Sequence, residues 1–348
     1  MTRQLRIKKT PTALVERGEF NFGIYRAPFE TVNPLDARLK LPRPLRRLAL
    51  KEWQHFAIAN DRFYISFALF DSKRINLAQI IVYDRKTRVK YEGERRFIHR
   101  RFQIPDALYG EASASIDERG LTIRVDNRLE QGRHDIVFSL EPDGTQPQIT
   151  GRFTCFEDLS AVEPIVVCLP FEDGRGMYSH KGVFPGEGVL FVDGERHEFN
   201  KERSYILPDI HKGYYPFVMQ WHWATAGCFD QAGRLVGFNL TDNQVEDQER
   251  YNENALWVDG RLSLLPPVHF EMNLDDLTKP AIIRDNEGKV NLRFIPEVQR
   301  AIDVTVLFLK SRYRGPYGHF EGTIVDHEGV EHCLDGAFGM AEDFYLRG

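Results

Sequence analysis

Between residues 217 and 229 the chain alternates with a period of two. Phe217, Met219, Trp221, Trp223 and Thr225 fall on one face, and Val218, Gln220, His222, Ala224 and Ala226 on the other. The pattern predicts a β-strand with a bulky aromatic face. Residues 230–233 supply a turn, 234–240 read as the returning strand, and 255–259 as a further strand closed by Asp259-Gly260. Three of the four tryptophans lie within 215–260, so this stretch gathers most of the chain's indole rings.

Short strands recur on both sides of it. Residues 63–71, 77–84, 97–102, 121–125, 135–140, 149–156, 177–183 and 188–193 form one series, and 268–272, 289–294, 302–310 and 318–326 extend a second, with turns at Asp143-Gly144, Asp193-Gly194, Glu328-Gly329 and Asp335-Gly336. This cadence, almost free of helical periodicity, predicts an all-β protein of antiparallel sandwich or barrel type, as two barrels or strongly curved sheets packed together. An irregular segment occupies 1–50, the first barrel 51–205 and the second 206–348, with the boundary inside 201–207. Within 39–51 (LKLPRPLRRLALK) two prolines delay any helix to about Pro44. That basic amphipathic piece admits docking on a membrane surface, but its shortness favours a solvated connector covering a barrel end.

Composition narrows the classes. At 348 residues the chain is long enough for two cores, and a net charge of −5 speaks against a general nucleic-acid binder. Cys155, Cys168, Cys228 and Cys333 lie far apart without a CxxC pair, and read as buried thiols in a reducing compartment. Residues 1–10 are basic without the apolar core of a signal peptide, and no apolar run approaches the roughly 20 residues of a membrane span. A cytoplasmic location is the default expectation, with no transmembrane segment.

Three stretches carry a family likeness: 51–72 (KEWQHFAIANDRFYISFALFDS), 178–182 (YSHKG) and 221–260. Together they resemble the bacterial domain-of-unknown-function family 2804 over nearly the whole chain. The order of an aromatic-Ser motif, a Gly-turn-Asp-Gly hairpin and an Asp ahead of a Trp-rich strand is also similar to the tandem-lipocalin superfamily, which includes carotenoid 1,2-hydratases, tocopherol cyclase and calycin-like pericyclases. The resemblance implies a double calycin barrel with an apolar ligand site near the domain junction.

Lipocalin barrels hold apolar ligands in a lumen lined by alternate strand residues. Trp221 and Trp223, with Phe217 and Met219, would make such a wall, although strand aromatics also serve as plain core. His222 points the other way. The polar candidates are Tyr178, His180, Lys181, Asp209, His211, Lys212, Tyr214, Asn239, Glu253 and Asn254, each of which also fits a turn or edge role. Hydration, cyclisation or isomerisation needs one carboxylic acid to protonate an alkene, with tryptophan faces stabilising the cation. Asp209 and Glu253 are the expected acids; Tyr178 and Asn239 would orient substrate or water, and His180 joins them as a catalytic candidate. His180, His211 and Glu253 are the only candidate metal ligands, and no metal or organic cofactor is expected. The reading is an apolar-ligand binder with cofactor-free chemistry; a noncatalytic carrier or structural protein is the alternative. A carbohydrate-active protein, with Asp209 facing Glu253 across an open groove, is the third.

Overall fold

A computed structural model describes residues 6–347 apart from 74, 99–101, 103, 307 and 308. Its two large antiparallel sheets curl into two tandem lipocalin-like barrels. In the first, Lys51–Ala59 lies between Phe63–Asp71 and Tyr205–Gly213, and Tyr205–Gly213 also pairs with Arg175–Lys181. In the second, Val218–Phe229 lies between Leu235–Asn243 and Phe338–Arg347. The first sheet therefore runs to Gly213 and the second begins at Val218, so the change of sheet falls beyond the expected 201–207. A boundary at 205/206 would cut into the strand Tyr205–Gly213.

That strand is buried at every position, because each of its faces has a separate job. Ile206 and Ile210 join Phe56, Ile58, Phe138 and Phe153 in the first barrel's interior. Tyr205 and Leu207 turn outward, and pack with Ala57, Ala59 and Tyr64 against Trp223, Trp257, Phe338 and Met340 of the second barrel. A third core of Ala224, Ala226, Phe238, Phe294 and Phe320 fills the second barrel. Small residues let the barrels meet closely. A side chain on Gly237 would come within 2.6 Å of the Ala226 carbonyl oxygen and 2.8 Å of Val183 from the first barrel. Gly237→Ala is expected to lower stability by about 1–3 kcal/mol, read as a fall in denaturation midpoint, since overpacking a rigid backbone contact has no cheap relief.

Several predicted elements fall elsewhere. The 97–102 strand lies partly outside the described residues, whereas Val89–Ile98 is a strand. The 302–310 stretch falls across two strands, Ala301–Val306 and Leu309–Arg314. Within 1–50, Gly23–Tyr25 pairs with Ile165–Phe171, and Arg43–Ala49 forms a helix with Pro44 in its first turn. Cys155 and Cys168 are buried, but Cys228 is only partly so and Cys333 is exposed. Among the described residues no helix is long and apolar enough to cross a membrane.

Candidate functional site

The two-residue period of a strand sets up matched rows on the facing sheets. On the first barrel, cross-strand register aligns Phe70, Trp53, His211 and Ser179 in one row, and Ala68, His55, Asp209 and Lys181 in the next. On the second, Tyr313, Phe344, Trp221 and Asn243 form one row, and Glu342, Trp223 and Thr241 the other. The rows meet between the barrels. Trp53 stacks on His211 at 4.2 Å and lies nearly parallel to Trp221 at 6.2 Å, while Trp221 stacks on Phe344 at 4.1 Å. Tyr215 sits 5.6 Å from Trp53 and 6.2 Å from Trp221. Trp53, Tyr215, Trp221 and Phe344 are half-buried, and Lys181, Asp209, His211 and Glu253 are buried. The junction is therefore an aromatic mouth over a polar floor.

Asp209 is the hub of that floor. Its Oδ2 accepts from Trp53 Nε1 at 3.0 Å, and its Oδ1 lies 2.7 Å from His211 Nε2 and 3.1 Å from Lys181 Nζ. Burial works to raise its pKa, but Lys181 and His211 outweigh that and hold the carboxyl well below the usual range. Lys181 also reaches Glu253 Oε1 at 3.3 Å and lies over the Trp223 ring at 4.8 Å. Burial opposes its charge, yet the two carboxylates keep its pKa raised. Glu253 is braced from behind: Oε1 accepts from Thr241 Oγ1 at 3.1 Å, and Asn239 donates to its backbone carbonyl at 2.8 Å while accepting from Trp223 Nε1 at 2.7 Å. Asn254 accepts from the Thr241 amide at 2.6 Å and donates to the Pro266 carbonyl at 3.0 Å. Among the described residues, Glu253 Oε2 is buried with no hydrogen-bond partner.

Opposite in character is Glu342. Trp221 Nε1 donates to its Oε1 at 2.7 Å, and Tyr313 hydrogen-bonds it as well. Burial, reinforced by the nearby Asp209 charge, overrides those bonds and lifts its pKa to about 7. His55, whose Nε2 is 3.0 Å from Ser66 Oγ, has its pKa lowered to about 4 by burial, with Arg300, Lys181 and His211 adding to the effect against Asp209. The junction thus holds an ionised carboxylate, a carboxyl poised near neutrality and a neutral imidazole.

Several candidates lie elsewhere, for reasons of parity. Trp221 and Trp223 do not line a lumen: they point out of the second barrel into the junction, and Ala224 and Ala226 face its interior. Tyr178 and His180 point into the first barrel, where Glu157 lies 2.8 Å from both His180 Nε2 and His134 Nε2. Lys212, on the face opposite His211, pairs with Glu52 at 2.6 Å and with Asp106. Tyr214 is buried near that cluster, within the influence of Arg46 and Glu52. His222 stacks on Phe270 and pairs with Asp343 at 3.3 Å. Phe217 is 65% exposed ahead of the strand, and Met219 is buried but outside the junction's apolar cluster. Asp209, Glu253, Lys181, His211, Asn239, Trp221 and Trp223 come together. Trp53, His55, Tyr215 and Glu342 join them without having been singled out in the sequence. For Glu342 there was one signal: it is the charged position in the alternating row Phe338, Met340, Glu342, Phe344. Among the described residues no cluster of His, Cys, Asp or Glu is arranged to hold a metal.

The sequence family described as "Domain of unknown function (DUF2804)" matches residues 4–347. The chain belongs to this family. No curated protein matches it. Among solved structures, "Crystal structure of CghA" superposes with a TM-score of 0.51 at 13% identity, covering 86% of this chain and 88% of that one. Kievitone hydratase from Nectria haematococca aligns with a TM-score of 0.48 at 8% identity, over 85% of this chain and 88% of its own. The first likeness is one of fold alone.

Proposed function

We propose that the barrel junction binds a hydrophobic, lipid- or isoprenoid-like small molecule and carries out cofactor-free proton transfer on it: hydration, cyclisation or isomerisation of an alkene. One observation carries this reading. Within one aromatic enclosure a carboxyl with a pKa of about 7, Glu342, stands beside one held ionised, Asp209. Environments that push two carboxyls apart in this way divide proton donor from charge stabiliser. Glu342 replaces Asp209 and Glu253 as the proposed acid, because Lys181 keeps Asp209 ionised and binds Glu253 as well.

In the reaction envisaged, Glu342 gives its proton to the alkene carbon. The positive charge formed next to the Trp221 and Trp53 faces is stabilised by their π-systems and by the Asp209 carboxylate. Water then adds and loses a proton, or a neighbouring C–H is lost, and the released proton returns to the Glu342 carboxylate, directly or relayed through the neutral His55, which restores the acid. Every proton is accounted for without a cofactor. A glycosidase reading is disfavoured, since the Lys181 ammonium fills the gap between Asp209 and Glu253 that a glycosidic bond would occupy.

The test is native mass spectrometry, with lipid extraction, of the chain purified from its own host and of a Trp221→Ala, Trp223→Ala double variant. An apolar molecule should co-purify with the parent and drop about tenfold or more in the variant, whose loss of two aromatic faces removes most of the contact area. An equal load in both, or a bound sugar in place of an apolar molecule, would defeat the proposal.

A further inference from the structure

The helix Arg43–Ala49 is amphipathic the wrong way round. Leu45 and Leu48 share one stripe, Leu41 lies two residues ahead of the helix, and the three are exposed at 50%, 44% and 41%. No residue of the helix is buried. Arg43 and Arg47 are also exposed, and of the helix's bases only Arg46 is half-buried. Arg46 donates to the Ala37 carbonyl, Arg43 pairs with Asp36 at 3.5 Å, and Arg43 and Arg47 border a cavity of about 310 Å³ with Glu52, Lys73 and Asp106. A single exposed leucine needs no explanation, but a whole apolar stripe turned outward does.

Charge identifies what would cover it. Residues 37–51 contain six basic side chains (Arg38, Lys40, Arg43, Arg46, Arg47 and Lys51) and no acidic one, in a chain whose net charge is −5. A second copy meeting this stripe about a two-fold axis would set the same positive segment against itself. An anionic lipid surface suits both features, with leucines among the acyl chains and the exposed bases at the phosphates. Leu48 precedes Trp53 by five residues, so a chain path of at most about 18 Å joins that end of the stripe to the aromatic mouth. We propose that this helix docks the protein on an anionic bilayer surface through Leu41, Leu45 and Leu48, next to the mouth of the barrel junction.

The test is co-sedimentation of the full chain with vesicles of phosphatidylcholine alone and of equal parts phosphatidylcholine and phosphatidylglycerol. Sedimentation should occur with the anionic vesicles and weaken sharply between about 0.1 M and about 1 M salt. Leu45→Gln, Leu48→Gln should weaken it about tenfold or more while leaving the melting temperature unchanged, because both side chains are exposed. Lys40→Gln should weaken it about fivefold. The Trp221→Ala, Trp223→Ala variant should still sediment, which separates this proposal from the ligand reading. Absence of anionic-vesicle binding, or binding indifferent to the leucine changes, would overturn it. So would a concentration-dependent dimer that the leucine changes abolish, since that assigns the stripe to a second copy.

Discussion

Glu342→Gln is expected to cut turnover by about 10²–10⁴-fold while leaving ligand binding nearly intact. Gln preserves the shape and the acceptor for Trp221 Nε1, but has no proton to give. The parent's rate should fall as pH rises through about 7, where Glu342 ionises, and the variant's residual rate should lose that limb. A measurement independent of substrate exists as well. Burial raises the folded-state pKa of Glu342 above its ordinary 4.5, so its contribution to stability is full below about pH 4.5 and is lost as pH rises through about 7. Glu342→Gln escapes that loss, so it should gain on the parent above pH 7, by at most roughly 3 kcal/mol. Unchanged turnover together with an unchanged pH–stability curve would remove Glu342 from the mechanism.

Lys181→Met should be the most destabilising single change at the junction, at about 3–5 kcal/mol in chemical denaturation. The ammonium is the shared counter-charge of Asp209 and Glu253, and without it two buried carboxylates face each other. The depressed pKa of Asp209 means that its stabilisation is present above its ordinary 3.8 and is lost as pH falls through the lower folded value. Removing Lys181 raises that folded value, so the gap between parent and variant should narrow in acid. Adding Asp209→Asn to Lys181→Met should recover part of the loss, because the second change neutralises one of the stranded charges. Additive losses in the double variant would mean that the pair is not coupled.

Turn chemistry and alternation exposed much of the fold in the sequence. Phe63–Asp71 and Ile149–Phe156 form strands over the predicted spans, and Val218–Phe229 starts one residue late. Asp193-Gly194 and Asp259-Gly260 adopt the positive φ angles that their turns require. The strand Tyr205–Gly213 was invisible because burial on both faces erases alternation, and because Pro208, Asp209 and Lys212 look like loop residues. The site was legible in part for a related reason. A period of two sorts Trp221 from His222 but does not say which set faces the lumen, and only the neighbouring barrel decides it. Glu342 came to light through its distant neighbours Trp221, Tyr313 and Asp209, none of which is adjacent in sequence.

The pairing of Lys51–Ala59 with Tyr205–Gly213, and of Val218–Phe229 with Phe338–Arg347, has a consequence for synthesis of the chain. At roughly 5–20 residues per second, the ribosome delivers Glu342 about 15–60 s after Trp53. During that interval the nascent first barrel carries its Trp53 and His55 rows without the opposing sheet. The mouth acquires Glu342 only when the last strand docks. A nascent chain arrested before that strand would leave its aromatic rows uncovered, and the interval would suit a holdase chaperone.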